Sequence, residues 1–192
     1  MLDISEAKKQ LRQTMRRRRR EAPGAGPGAA DGLRDRFIAA LDPPPGGVIA
    51  AYWPLPGEMD TLALLGALDD RGCVCALPVV ARPDAPLIFR RWRPGDALRA
   101  GPHGIQQPGP DRDELRPQLI GLPVLAVDRQ GFRLGAGGGY YDRTLAQLRG
   151  QERAPLAVGI AFSFQVLDTV PHGRFDQVLD WVVTEGDAIR FV

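Results

Sequence analysis

Apolar residues recur at helical spacing in four segments of the chain. Ala7, Leu11 and Met15 lie four apart and predict a basic N-terminal helix over about residues 5–21. A Pro/Gly-rich segment then interrupts the pattern until about residue 31. Three further helices are predicted, over 32–42 with Asp31 as its cap, over 62–72 and over 141–150.

Short runs that are mostly apolar, and do not alternate with polar residues, lie between these helices and predict buried strands. The runs occupy 47–55, 73–80, 86–92, 119–127, 156–162 and 180–185. Helices alternating with strands of this kind predict an α/β fold, with one mostly parallel sheet and helices on both faces. No internal repeat or domain boundary interrupts the pattern, so the 192 residues are expected to form a single domain.

Composition and cysteine use indicate a cytoplasmic setting. No apolar run is long enough to span a membrane, and the first ten residues lack the apolar core of a secretion signal. Cys73 and Cys75 are two apart in a predicted strand and should point to the same face. We therefore expect two reduced core cysteines and no disulfide.

The charge of the chain is unevenly distributed along the sequence. The net charge is +2, but the first twenty residues alone carry +6. This imbalance predicts an anionic partner. The run Arg16–Arg20 leaves nucleic-acid binding open as an alternative function, although no aromatic residues are interleaved for base stacking. A solvated basic helix is the simpler interpretation.

A glycine-rich stretch, GFRLGAGGGYYDRTL at 131–145, is the most informative part of the sequence. The four glycines at 135 and 137–139 follow a strand and precede a helix, where backbone N–H groups and the helix dipole can bind phosphate. Tyr140 stands where a Rossmann fingerprint would need glycine, and no Walker lysine follows. Arg133 and Arg143 could supply the missing charge. The alternative is a simple tight turn.

Asp142 lies directly beside this predicted phosphate site. A carboxylate repels phosphate unless a cation lies between them, which points to Mg²⁺. The spacing equally permits a carboxylate that only stabilises the start of a helix.

Several segments together resemble the 5-formyltetrahydrofolate cyclo-ligase family. Besides 131–145, the resemblance covers KKQLR, YWPLPGEMDT, GPHGIQQP, VGIAFSFQ and VPHGRFDQVLDWVVTE, in the family's order. It implies a NagB/RpiA/CoA-transferase-like fold and ATP-dependent cyclisation of 5-formyltetrahydrofolate to 5,10-methenyltetrahydrofolate. ADP and phosphate are the other products, after phosphorylation of the formyl oxygen. A nucleic-acid-binding module or a non-catalytic nucleotide-binding protein remains the alternative.

The resemblance also implies roles for individual residues. Arg133 and Tyr140 would be catalytic, and Asp142 and Asp176 would hold Mg²⁺. ATP would contact Lys8, Lys9, Gln10, Leu11, Arg12, Arg133, Leu134, Gly135, Ala136, Gly137, Gly138, Gly139, Tyr140 and Tyr141. The folate, with or without a polyglutamate tail, would contact Trp53, Glu58, Gly137, Gly138, Gly139, Tyr140 and Tyr141. The enzyme is expected to be a monomer.

The sequence departs from the family pattern at four positions. They are Gln107, where the family has glutamate, and Ala136, Val124 and Phe175. None of them removes a phosphate-binding or metal-binding group, so they bear on substrate contacts and not on the reaction.

Overall fold

The computed structural model describes residues 3–22, 26 and 28–191. Its four helices are α1 (Ile4–Glu21), α2 (Ala29–Leu41), α3 (Leu62–Asp70) and α4 (Tyr140–Arg149), as the apolar spacing predicts. The predicted cap of α2 is wrong. Gly28, with φ 107°, precedes the helix, and Asp31 lies in its first turn. There the Asp31 carboxylate accepts a hydrogen bond from Arg34 at 2.6 Å, so it is not free to cap.

An eight-stranded sheet forms the centre of the molecule, in the order β13-β12-β10-β7-β1-β2-β3-β6. The five strands from β12 to β2 are parallel, and antiparallel strands complete both edges. A mostly parallel sheet is therefore confirmed. In chain order the strands are β1 (Val48–Ala50), β2 (Val74–Val79), β3 (Ile88–Arg91), β4 (Arg99–Ala100), β5 (Gln106–Gln107), β6 (Glu114–Leu115), β7 (Leu119–Pro123), β8 (Ala126–Asp128), β9 (Arg133–Leu134), β10 (Leu156–Ile160), β11 (Val166–Leu167), β12 (Trp181–Val183) and β13 (Ala188–Arg190).

Helices cover both faces of the sheet. On one face, α2 and α3 pack against a core that contains Ile49, Cys73 and Cys75. On the other face, α4 packs through Leu145 against a core that contains Ala50. Both cysteines are free and buried in the same core, as their spacing predicts. No helix in the described part of the chain is long and apolar enough to cross a membrane.

The predicted strand over 119–127 is interrupted in the structure. Residues 119–123 belong to the main sheet, whereas β8 pairs with β9 and β11 in a separate three-stranded sheet. The Gln165 amide donates hydrogen bonds to the Val124 and Leu125 carbonyls, at 2.8 and 2.9 Å. These carbonyls would otherwise be unpaired at the break. The break directs the chain through β9 to the glycine-rich segment.

Helix α1 lies against the three-stranded sheet. Its Met15 is buried with Leu125, Ala126, Leu134 and Val170, and Leu11 packs on the same cluster. The predicted apolar stripe of α1 therefore packs against this sheet, and the basic face of the helix lies beside the glycine-rich segment.

Candidate active site

A cavity of about 550 Å³ opens at the carboxyl ends of the parallel strands. Ligands of open α/β sheets bind at this edge because the strands end there and loops of different origin converge. The cavity is lined by Lys8, Arg12, Tyr52, Trp53, Leu55, Glu58, Pro78, Val80, Leu87, Ile105, Gln107, Pro123, Arg133, Leu134, Gly135, Ala136, Gly137, Gly138, Gly139, Tyr140, Tyr141, Asp142 and Asp176.

One end of the cavity contains alternating basic and acidic groups. The Lys8 ammonium contacts both Asp176 oxygens, at 2.7 and 2.5 Å, and joins α1 to the loop after β11. The guanidinium of Arg133, on β9, donates to Asp142 on α4 at 2.7 Å and to the Gln177 carbonyl. Two cations and two carboxylates from four segments are therefore held together at this end.

Burial acts differently on the charged groups at this end. Only 6% of Arg133 is exposed, and this burial lowers the pKa of its guanidinium, although Asp142 opposes the shift. Burial alone would raise the pKa of Asp176, but hydrogen bonds from Lys8 and the Gly173 N–H outweigh it. The Asp176 pKa therefore lies below its ordinary value, and the carboxylate stays ionised.

The glycine loop, residues 135–139, follows β9 and ends directly before the first residue of α4. Three arginines hold its carbonyls: Arg12 contacts Gly135 at 3.0 Å, Arg16 contacts Ala136 at 3.3 Å, and Arg143 contacts Gly138 at 2.8 Å. In the described part of the chain, nothing accepts a hydrogen bond from the N–H groups of residues 136–139. Together with the start of α4, these N–H groups could bind an anion.

Two glycines of the loop adopt a backbone conformation that other residues avoid. Gly137 has φ 115° and Gly139 has φ 67°. A Cβ at Gly139 would lie 2.7 Å from the Arg143 guanidinium. The backbone conformation therefore favours glycine at both positions, and an added Cβ at Gly139 would also displace the Arg143 side chain.

The two tyrosines at the start of α4 both line the cavity and pack against the same core. The Tyr140 ring covers Gly138, whose added Cβ would be 3.0 Å from the ring, and Arg143 stacks over it at 5.0 Å. Tyr141 packs into the core beneath α4 and also lines the cavity. Burial raises the pKa of Tyr141, so this phenol stays neutral.

The opposite end of the cavity is mainly apolar and aromatic, with one carboxylate. Glu58 accepts a hydrogen bond from the Leu55 N–H at 3.1 Å. Its other oxygen lies 3.7 Å from the Arg19 guanidinium of α1. Burial raises the pKa of Glu58, and the Leu55 N–H and Arg19 offset part of this shift. Trp53, whose ring meets Trp92 edge-on, forms an adjacent wall.

Gln107 is a cavity residue that the sequence motifs did not identify as part of a site. It is 5% exposed, and its side-chain oxygen accepts a hydrogen bond from the Val80 N–H at 3.3 Å. Among the described residues, no group accepts a hydrogen bond from its amide nitrogen, which could therefore donate to a ligand. Its place in a family segment, where the family has glutamate, was the signal that could have identified it.

Asp128 is a second residue that the sequence motifs did not identify, and it stabilises a segment that carries part of the site. It is 3% exposed and accepts hydrogen bonds from the N–H groups of Gln130, Phe132 and Val170. These bonds fix the hairpin that carries Arg133. A carboxylate at the end of an otherwise apolar run was the available signal, since buried acids need such partners.

Most of the predicted residues line the cavity, but three residues of α1 do not. Lys9 is exposed and pairs with Glu6, to which Gln10 also donates a hydrogen bond. Leu11 packs in the core cluster of Met15. The helix turns by 100° per residue, so only Lys8 and Arg12 of this segment share the cavity face.

Asp142 and Asp176 are the two acids at the charged end. Among the described residues, no group of three or more His, Cys, Asp or Glu side chains could hold a metal by itself. A magnesium ion that binds together with phosphates commonly uses only one or two carboxylates. Two carboxylates would be enough for a metal that arrives with an anionic ligand, and in this structure they are paired with Arg133 and Lys8.

The geometry defines an α/β fold in which a glycine loop lines a cavity that is charged at one end and mainly apolar at the other. Residues 4–185 match the model of the 5-formyltetrahydrofolate cyclo-ligase family. The chain belongs to this family, and the expectation of a ligase is confirmed.

Individual relatives agree with this assignment. The chain is 35% identical over 190 residues to the 5-formyltetrahydrofolate cyclo-ligase of Mycolicibacterium smegmatis, a match that covers 93% of each chain. It is 35% identical over 141 residues to the enzyme of the same name from Escherichia coli K12, covering 71% of this chain and 76% of the relative. The 5,10-methenyltetrahydrofolate synthetase of Aquifex aeolicus has a similar structure, with a TM-score of 0.71, 27% identity and coverage of 97% and 92%.

Proposed function

We propose that the chain catalyses the ATP-dependent cyclisation of 5-formyltetrahydrofolate to 5,10-methenyltetrahydrofolate. The observation that carries this proposal is the position of the glycine loop. Successive basic residues of α1 contact Asp176 at the charged end, then the loop, and then Glu58 at the apolar end. The loop therefore lies between an end that suits a nucleoside triphosphate and an end that suits a flat folate ring. Family membership supports the same reaction.

The triphosphate would bind at the charged end. The free N–H groups of the glycine loop, with Lys8, Arg12 and Arg133, offer the donors and positive charge that phosphates need. Asp142 and Asp176 would hold Mg²⁺, whose chemistry there is to neutralise phosphate charge. Phosphoryl transfer depends mainly on such positioning and charge stabilisation, so no protein nucleophile is required.

The reaction transfers one phosphoryl group and closes one ring. The formyl oxygen attacks the γ-phosphorus, so a new O–P bond forms while the bond to ADP breaks. N10 then attacks the activated formyl carbon and loses its proton, and the C–O bond breaks to release phosphate. Arg133 would stabilise charge on the transferring group, and Tyr140, which covers the loop, would lie between the two substrates.

The folate would bind at the apolar end. The pterin edge presents two adjacent N–H donors, and the Glu58 carboxylate could accept both. The Trp53 ring offers a flat apolar wall for the pterin. Tyr141 closes this end from beneath the loop. A polyglutamate tail, where present, would extend toward solvent.

The nucleic-acid alternative is not favoured. Arg16 holds the Ala136 carbonyl and Arg19 approaches Glu58, so two arginines of the run serve the chain's own cavity. We further propose that the enzyme acts as a monomer, since one chain supplies both the charged and the apolar end of the cavity. Two buried free thiols suit the reducing cytoplasm.

The test is a spectroscopic assay with purified protein, Mg-ATP and 5-formyltetrahydrofolate. The methenyl product absorbs strongly in the near ultraviolet, so absorbance should rise while one ADP forms per product. Omission of ATP should abolish the rise. Absence of product in the complete mixture, with protein that is folded by circular dichroism, would contradict the proposal.

A further inference from the structure

The basic residues of α1 contact the cavity from one end to the other. Lys8 contacts Asp176, Arg12 and Arg16 hold the glycine loop, and Arg19 approaches Glu58. Spacings of four, four and three residues place these side chains on one helix face. Arg19 is therefore the member of this face that reaches the folate end.

The contact between Arg19 and Glu58 is sheltered from water. The two side chains are only 18% and 15% exposed, whereas Arg17, Arg18 and Arg20 are exposed. The separation of 3.7 Å is too long for a hydrogen bond, so the contact acts mainly through charge. A charge contact of this kind is much less weakened by salt than one at the surface.

We propose that Arg19 is a positioning residue that keeps Glu58 ionised and aimed into the cavity, so that it can accept the folate's N–H donors. This inference rests on the proposed function, in which Glu58 binds the pterin. Arg19 would act through Glu58 and would not touch the substrate. The Arg19 guanidinium approaches the Glu58 oxygen that does not accept the hydrogen bond from the Leu55 N–H.

The titratable and charged groups that face Glu58 are few. They are Arg19 of α1, Tyr52 beyond β1 and Tyr141 of α4. Burial raises the pKa of both tyrosines, so they remain neutral near pH 7. Glu58 is then the group of this cluster that titrates, and its pKa is raised by burial and lowered by the Leu55 N–H and Arg19.

The expected effect on folate binding has a definite sign. Loss of the Arg19 charge removes one of the causes that lower the pKa of Glu58, so the pKa rises further. As the pH is lowered, folate affinity should therefore begin to fall at a higher pH in the variant than in the native chain. Below that point, each additional unit of pKa weakens binding by about tenfold.

The experiment measures the dissociation constant of 5-formyltetrahydrofolate by calorimetry without ATP, over a pH series that extends from neutral into the acid range. Arg19→Gln should weaken folate binding at the acid end of the series and move the pH profile to higher pH, and Arg19→Lys should restore most of the affinity. The matched control, Arg18→Gln, changes an exposed arginine one position away and should behave as native. ATP affinity should be unchanged in all three variants.

A double variant separates this inference from the proposed function. In a Glu58→Gln background, Arg19→Gln should have no further effect on folate affinity. If Glu58→Gln itself binds folate as the native chain does, the proposed role of Glu58 fails. If Glu58→Gln weakens binding but Arg19→Gln leaves the affinity and its pH profile unchanged, only the role of Arg19 is overturned. Arg19→Met keeps the apolar stem and serves if Arg19→Gln does not fold.

Discussion

The two ends of the cavity are built in opposite ways. At the charged end, most groups come from one continuous segment, 133–142, joined by Lys8, Arg12 and Asp176. At the apolar end, the walls come from segments that are far apart in the sequence, including Trp53, Val80 and Gln107. A phosphate can be bound by backbone N–H groups and a few charges, which a short local motif provides. A flat ring must instead be bound by a pocket of matching shape, and the walls of this pocket come from segments that are distant in the sequence.

The first prediction tests the charged end and has the largest effect. Arg133→Ala should lower kcat/KM by about 10²–10³-fold, because it removes the buried cation proposed to stabilise the transferring phosphoryl group. The variant also leaves the Asp142 carboxylate and the Gln177 carbonyl without their shared partner. Steady-state kinetics with each substrate varied in turn measures the loss.

Arg149 provides a matched control for this substitution. It too forms an ion pair with an aspartate, Asp180 at 3.1 Å, and holds a backbone carbonyl, that of Val178 at 2.7 Å. It does not line the cavity. Arg149→Ala should cost stability but leave the rate per folded molecule near native. Equal kinetic losses in both variants would show that Arg133 has only a structural role.

The second prediction concerns the backbone of the glycine loop. Gly139→Ala should lower the free energy of unfolding by about 1–2 kcal/mol, since an L-residue is strained in the left-handed conformation. The added Cβ would also displace Arg143, which lies 2.7 Å away and holds the Gly138 carbonyl, so the KM for ATP should rise. Urea denaturation and steady-state kinetics measure the two effects.

Gly135 is the control within the same loop. It does not have a positive φ, and a Cβ there would meet no described atom within 4 Å. Gly135→Ala should therefore unfold at nearly the native urea concentration. A loss of stability as large as that of Gly139→Ala would mean that backbone conformation is not what requires glycine in this loop.

The difference between the two ends also explains what the sequence could predict. The glycine loop, Arg133 and Asp142 are close in sequence, so their local pattern identifies them from the letters alone. The hydrogen bonds from Val80 to Gln107 and from Gln165 to the Val124 and Leu125 carbonyls join distant segments, and no local pattern encodes them. The sequence predicts Arg19 only as part of a solvated run, because composition does not show which arginine faces inward.

The third prediction concerns the ion pair that joins α1 to the charged end. The folded pKa of Asp176 is lowered, so its ionised form contributes stability above its unfolded pKa, and this contribution is lost as the pH falls through the folded pKa. Asp176→Asn should lower the free energy of unfolding by about 1–2 kcal/mol at pH 7, and the difference from native should shrink below about pH 4. Urea denaturation at a series of pH values gives both quantities.

A fully exposed acid serves as the comparison for Asp176. Asp168 is 99% exposed and lies 3.9 Å from Arg129, a separation that adds little stability. Asp168→Asn should leave the unfolding free energy unchanged at every pH. A pH-independent loss in Asp176→Asn would mean that the substitution disturbs packing and not charge.

The fourth prediction returns to the apolar end, where the smallest effect is expected. Gln107→Glu retains an acceptor for the Val80 N–H but replaces the free amide donor with a buried carboxylate. Near pH 8 the KM for folate should rise by about 3–10-fold, which corresponds to the loss of one hydrogen bond. The KM should recover at lower pH, where the new carboxyl is protonated. The KM for ATP should not change, because the charged end is untouched.

Gln106→Glu, the adjacent and less buried position of β5, should have neither effect. A rise in the KM for ATP alone would mean that Gln107 contacts the nucleotide, and it would contradict the division of the cavity into two ends.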